Sequence, residues 1–144
     1  MTLPLQGMRL WVTRPGVASN RSAELWAAKG AEATSVPVLK IEAENLPANF
    51  ASKLNSFLEG SPALLVSSAN TFRFLKSNLG DHCDALKSLK LYVLGDAVKQ
   101  QAEAMGFEVQ WVAKRASAED LVAEFLERGG SGKVLLPGSA LRFI

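Results

Sequence analysis

Three short stretches of the sequence carry residues that could hold an anion. Thr13-Arg14-Pro15 ends a strand-like run, Met8 to Thr13. An arginine there can grip a carboxylate through two parallel hydrogen bonds. The plainer role for Arg14 is a solvated loop residue before a turn-making proline. Ser67-Ser68-Ala69-Asn70 closes the apolar run Ala63 to Ser67 and opens a helical pattern. Small hydroxyl residues and backbone N–H groups at a helix start suit negative charge. An ordinary N-cap would need only one of them. Gly95-Asp96 repeats the arrangement after Leu91 to Leu94. Glycine lets a ligand approach the backbone closely, and a tight turn with a cap is the commonplace alternative. In a parallel α/β sheet, ligands bind beyond the carboxyl ends of the strands. Three such ends on one edge point to a small anionic molecule.

Other stretches fail a chemical test. Gly129-Gly130-Ser131-Gly132-Lys133 looks like a phosphate loop, but Glu127 stands where the first glycine belongs and Val134 replaces Ser or Thr. A strand follows it where a phosphate loop needs a helix. No Gly-x-Gly-x-x-Gly follows a strand, so a dinucleotide fold has no support. His82 is the only histidine and Cys83 the only cysteine. One of each cannot build a usual structural zinc site. Neighbours in a polar surface loop is the expected reading of that pair. Neither a cofactor nor a metal is expected.

The elements that must position these residues follow one pattern. Ser19 is placed to cap a helix from about Asn20 to Lys29, which Gly30 ends. Glu32 to Glu42 is extended, and Pro37 within it argues for an edge or crossing strand. After a break at residues 43 to 47, Phe50, Leu54, Phe57 and Leu58 fall at helical spacing. Ala63 to Ser67 reads as a strand buried on both faces. Phe72, Leu75 and Leu79 mark the next helix, which Gly80 ends. Leu91 to Leu94 is a strand. Asp96 is placed to cap a helix through Met105 with Ala97, Gln101, Ala102 and Met105 inward. Phe107 to Val112 is a strand. Ser117 and Asp120 make a capping-box-like start, with Asp where Glu or Gln is usual. Leu121, Val122, Phe125 and Leu126 form that helix's buried stripe, and Val134 to Leu136 is the last strand. Alternating strands and helices imply parallel sheets flanked by helices. Residues 1–42 are too few for a core of their own, whereas 43–144 form an α/β unit.

Composition narrows the partners. The chain has 144 residues, with 48% of them hydrophobic and 21% charged, the balance of a globular protein. Sixteen basic residues face 14 acidic ones. They are scattered, so no nucleic-acid footprint is expected. No apolar stretch is long enough to span a bilayer. With no basic, apolar leader at the start and one cysteine, the chain is expected to be cytoplasmic.

The order of the segments resembles uroporphyrinogen-III synthase. Val12-Thr13-Arg14-Pro15 begins the match, and Lys29-Gly30-Ala31-Glu32 and Pro37 continue it. Leu65-Val66-Ser67-Ser68-Ala69-Asn70-Thr71-Phe72 looks like the family's Thr-Ser-x-Asn-Ala-Val stretch. Tyr92-Val93-Leu94-Gly95-Asp96-Ala97 looks like its Val-Gly-x-x-Thr-Ala stretch. Ser117-Ala118-Glu119-Asp120-Leu121 and Val134-Leu135-Leu136-Pro137 match two later segments. Val98 stands where the family usually has Thr, and Gly138 where an Arg often follows the proline.

The resemblance implies a two-lobed α/β fold, each lobe flavodoxin-like. Residues 1–42 would be part of the first lobe and 43–144 a nearly complete second one. Family members are longer and return to complete the first lobe. The implied reaction cyclises hydroxymethylbilane to uroporphyrinogen III with loss of water and inversion of the last pyrrole ring. The implied substrate contacts are Thr13, Arg14, Ser67, Ser68, Asn70 and Gly95, in a monomer that needs no nucleic acid and no membrane. No general acid is named. The open alternative is a non-catalytic module that binds a tetrapyrrole or another small anion.

Overall fold

In the computed structural model, which describes residues 2–115 and 117–138, the chain divides into two compact units, Met1–Glu42 and Ala43–Ile144. The first unit pairs β1 (Arg9–Val12) in parallel with β2 (Glu32–Ser35). One helix, α1 (Val17–Ala27), connects them. This helix starts three residues earlier than expected, and Gly16, at φ 64°, is its N-cap. Ser19 is therefore not a cap.

Ser19 is fully buried inside the first turn of α1. Its hydroxyl donates to the Val12 carbonyl at 2.8 Å and accepts from the Ser35 hydroxyl at 2.7 Å. One side chain thus ties the ends of both strands to the helix. The hydrogen bonds satisfy a group whose burial would otherwise be costly. Ser19→Ala should destabilise this unit by about 1–2 kcal/mol, the loss of two buried hydrogen bonds. Hydrogen exchange at the Val36 amide, which also bonds the Val12 carbonyl at 2.9 Å, should speed up accordingly. Unchanged exchange there would show that the hydroxyl pair contributes nothing.

β2 ends at Ser35, well short of Glu42. Pro37 lies just beyond it, and a proline cannot donate to a ladder. Residues 37–49 are exposed and belong to no helix or strand.

The second unit holds a four-stranded parallel sheet in the order β5-β4-β3-β6. Its strands are β3 (Ala63–Val66), β4 (Leu91–Leu94), β5 (Val109–Ala113) and β6 (Val134–Leu135). The helices are α2 (Phe50–Leu58), α3 (Ala69–Leu79), α4 (His82–Leu86), α5 (Asp96–Ala104) and α6 (Ala118–Glu127). Strand side chains alternate between two cores, as the pleat requires. Leu64, Val66, Leu91 and Val93 pack with Leu54, Phe72, Leu75, Leu86 and Ala102 on one face. Leu65 and Ala113 pack with Leu121 and Phe125 on the other. Each fully buried aliphatic or aromatic side chain stabilises the unit by roughly 1.5–3 kcal/mol.

Several expected details change. Asp96 is the first residue of α5, not its cap; Gly95 is the N-cap. The inward residues of α5 are Val98 and Ala102, with Met105 packed beside them, while Ala97 and Gln101 are exposed. Leu126 is 59% exposed and leaves the buried stripe of α6, which is Leu121 and Phe125. The capping box is formed as expected, with Asp120 N–H to Ser117 Oγ at 3.1 Å and Ser117 N–H to Asp120 Oδ2 at 3.2 Å. His82 and Cys83 lie not in a surface loop but in the short α4. Successive helical residues point about 100° apart, so Cys83 joins the core while His82 stays exposed. Burial raises the Cys83 thiol pKa. The 129–133 glycine stretch connects α6 to β6. A Cβ at Gly130 would sit 2.5 Å from the Phe125 ring, so packing against the core demands glycine there.

Candidate functional site

The strand order locates the crevice. From β3 the chain steps to β4 and then to β5, with α3, α4 and α5 packed on one face. From β5 it turns back over the opposite face through α6 and places β6 on the far side of β3. The winding direction therefore reverses between β3 and β6. In open α/β sheets the crevice at the carboxyl ends beside such a reversal is the expected ligand site.

β3 delivers Ser67 and Ser68 to that edge. Its apolar run is buried from Leu64 to Val66, and the chain emerges at Ser67, which is half-buried. Ser68 is the N-cap of α3, and its hydroxyl accepts from the Asn70 N–H at 3.3 Å. The cap engages one lone pair of that oxygen and leaves Ser68 and Asn70 exposed. β4 delivers Gly95. At φ 79°, this position disfavours any side chain, and a Cβ built there meets nothing within 4 Å. The space above Gly95 is open to a ligand, although its own N–H is bonded to the Ala113 carbonyl at 3.1 Å. No side chain caps the first turn of α5. Beyond β6 come Leu136, Pro137 and Gly138.

Thr13 and Arg14 belong to the first unit. They follow β1, which belongs to the separate two-stranded sheet. The expectation of three strand ends on one sheet edge is thus corrected to two, β3 and β4. The pattern of alternating strands does not say which strands share a ladder. Both residues are exposed, and Arg14 Nη1 donates to Ser22 Oγ at 3.2 Å.

Val98 is 5% exposed and packs in the core with Phe72 and Ala102. A side chain at this place lines the interior of the unit, where a valine fits.

The end of β5 adds residues that the three strand-end motifs do not include. That strand runs one residue beyond the expected Val112 and delivers Lys114 and Arg115 to the same edge as Ser67 and Gly95. Glu124 of α6 anchors this loop. It accepts from Trp111 Nε1 at 3.0 Å and from the Arg115 N–H at 3.4 Å. The Trp111 hydrogen bond, above all, holds the Glu124 carboxyl below the usual carboxylate range, against a partial desolvation. Arg115 also pairs with Glu124 at 4.0 Å and with Glu127 at 3.5 Å. The Arg128 guanidinium stacks on the Trp111 ring, 3.3 Å from its centroid. Two adjacent cations directly after a strand are the signal that could have found this loop.

A depression of about 600 Å³ lies at the opposite end of the sheet, among Lys76, Gly80, Asp84, Lys87 and Met105. The C-terminal ends of α3 and α5 meet there, so it faces away from the strand carboxyl ends. Among the described residues no His, Cys, Asp or Glu cluster could hold a metal ion, and no helix is long and apolar enough to cross a membrane.

The fold has a solved counterpart. The crystal structure of uroporphyrinogen III synthase from the extremely thermophilic bacterium Thermus thermophilus superposes with a TM-score of 0.52 at 14% sequence identity. The alignment covers 95% of this chain and 54% of that one, so the chain spans about half the length of the solved relative. At this identity the likeness concerns the fold, parallel α/β sheets flanked by helices. No curated protein matches the chain by sequence. The family model described as Uroporphyrinogen-III synthase HemD matches residues 20–142. With the model matched over most of its length, the chain belongs to the uroporphyrinogen-III synthase family.

Proposed function

We propose that this polypeptide acts in uroporphyrinogen III synthesis, cyclising hydroxymethylbilane with loss of water and inversion of the last pyrrole ring. The observation that carries the reading is the family match over residues 20–142. The chemistry of the strand ends supports it. The substrate is a flexible molecule with carboxylates on every ring. Hydroxyls and backbone amides beyond strand ends can hold such groups without a large positive charge. Ser67, Ser68, Asn70 and Gly95 at one sheet edge, and Thr13 and Arg14 beyond β1, are the proposed substrate contacts. The protein's task is to hold the bilane so that ring-inverting attack outruns simple head-to-tail closure, which is catalysis by positioning.

In this reading Met1–Glu42 is part of the first lobe and Ala43–Ile144 a nearly complete second lobe. The enzyme works as a cytoplasmic monomer. Residues 1–144 alone should then show little or no activity, because the first unit has a sheet of only two strands.

The test reads the frame to its natural stop, expresses the product and supplies freshly made hydroxymethylbilane. The ratio of type III to type I uroporphyrinogen is measured against the protein-free reaction. An excess of type III is expected. Type I alone, from a folded protein, would remove the synthase reading and leave anion binding without catalysis as its successor.

A further inference from the structure

We infer that Lys114 is a further carboxylate-binding residue of this edge and that Glu124 is the residue that positions it. The inference deepens the proposed synthase reading and rests on it for the identity of the substrate.

The register places Lys114 at the site. Leu94 pairs with Ala113, and Gly95 N–H bonds the Ala113 carbonyl. The next residue along β5 is Lys114, which therefore emerges beside Gly95, where the space above the backbone is open. The two cations of this loop differ in what holds them. Arg115 is engaged by Glu124 and Glu127. Among the described residues Lys114 forms no ion pair, and it is exposed. Asp96, the nearest acidic residue along β4's exit, does not pair with it.

Glu124 keeps the loop from wandering. Its two oxygens take Trp111 Nε1 from within β5 and the Arg115 N–H from the loop itself. The Arg128 guanidinium closes over the outer face of Trp111. A lysine alone is a flexible point charge; here its backbone is fixed on both sides. The ligand chemistry that fits is a carboxylate reaching past Ser67 and Gly95 toward β5. A substrate with many carboxylates can make this contact and the strand-end contacts together.

The experiment measures KM and kcat for hydroxymethylbilane with the full natural polypeptide and its Lys114→Ala, Lys114→Arg, Glu124→Ala and Glu124→Gln variants. Lys114→Ala should raise KM by roughly two- to five-fold, as for one exposed charge pair, with kcat little changed. The effect should shrink as salt is added, and Lys114→Arg should restore the parent value. Glu124→Ala should raise KM in the same direction, and Glu124→Gln, which keeps an acceptor for Trp111, should recover most of it. If the parent makes type III and Lys114→Ala keeps its KM, the inference is overturned while the synthase reading stands. If the parent makes no type III, the synthase reading falls and calorimetric binding of uroporphyrinogen III, an octacarboxylate, decides Lys114. Weaker binding by Lys114→Ala would keep the anion contact, and equal binding would remove it. A Glu124→Ala protein that loses thermal stability but keeps its KM would show that Glu124 is structural only.

Discussion

Replacing Phe72 by alanine is expected to destabilise the Ala43–Ile144 unit by about 3–5 kcal/mol, the usual range for a buried aromatic truncated in a core. Phe72 is fully buried. It meets Phe107 edge to face, with ring centroids 5.2 Å apart and an interplanar angle of 61°. Such a pair adds stabilisation beyond the area it covers. The same cluster contains residues from α2, β3, α3, α4, β4 and α5, so the cavity would open where these elements meet. Domains of this size are stable by only about 5–15 kcal/mol in total. Urea unfolding followed by tryptophan fluorescence should show the midpoint falling by roughly 2 M, given a slope of about 1–3 kcal/mol per molar. A change under about 1 kcal/mol would mean that neighbouring side chains refill the space and that Phe72 does not anchor the core.

Brief digestion of the native 144-residue chain by trypsin should cut first at Lys40 and leave a resistant fragment that begins soon after it. Residues 37–49 are exposed and outside any element, which is the preferred ground for proteolytic nicking. The released N-terminal piece should then be degraded quickly. Its sheet has only two strands, and such a sheet is marginal alone. Trp11 is 78% exposed, Leu25 61% and Trp26 42%, so large apolar side chains of this unit are open to water. Mass spectrometry of the time course checks both statements. Equal lifetimes for the two pieces, or a first cut within α3 or α5, would contradict them.

The parts of the fold that were legible in the sequence are those decided by local chemistry. Ala63 to Val66 is a short continuous apolar run set off by Gly60-Ser61-Pro62, which is how a strand covered on both faces reads. Phe72, Leu75 and Leu79 share a helix face because 3.6 residues make a turn, and all three are buried. Ser117 and Asp120 cap α6 reciprocally because both partners lie within one turn. The misreadings come from decisions made over distance. Ser19 has the chemistry of a cap, but β1 and β2 offered its hydroxyl a buried carbonyl and a second hydroxyl. Asp96 has the chemistry of a cap, but α5 begins at it with Gly95 as N-cap, and Val98 and Ala102 are the buried positions. Cys83 looked like a loop residue because α4 is too short to show a period. At the candidate site, Ser67, Ser68, Asn70 and Gly95 could be read from their places after strands. Lys114 and Arg115 also follow a strand, but only the long-range register of β5 against β4 sets Lys114 beside Gly95.

The strand order also has a consequence for how the chain is made. β3 is synthesised first in its sheet and ends in the interior of it, between β4 and β6. Its one face, with Leu64 and Val66, meets partners from α3 and α5 early. Its other face, with Leu65, waits for Leu121 and Phe125 of α6, and the flank waits for Val134 and Leu135. At roughly 5–20 residues per second of translation, that apolar face leaves the ribosome seconds before its cover does. Nascent chains held after β5 and before α6 would therefore present Leu65 and Ala113 as a ready grip for a chaperone, whereas chains that have passed β6 would not.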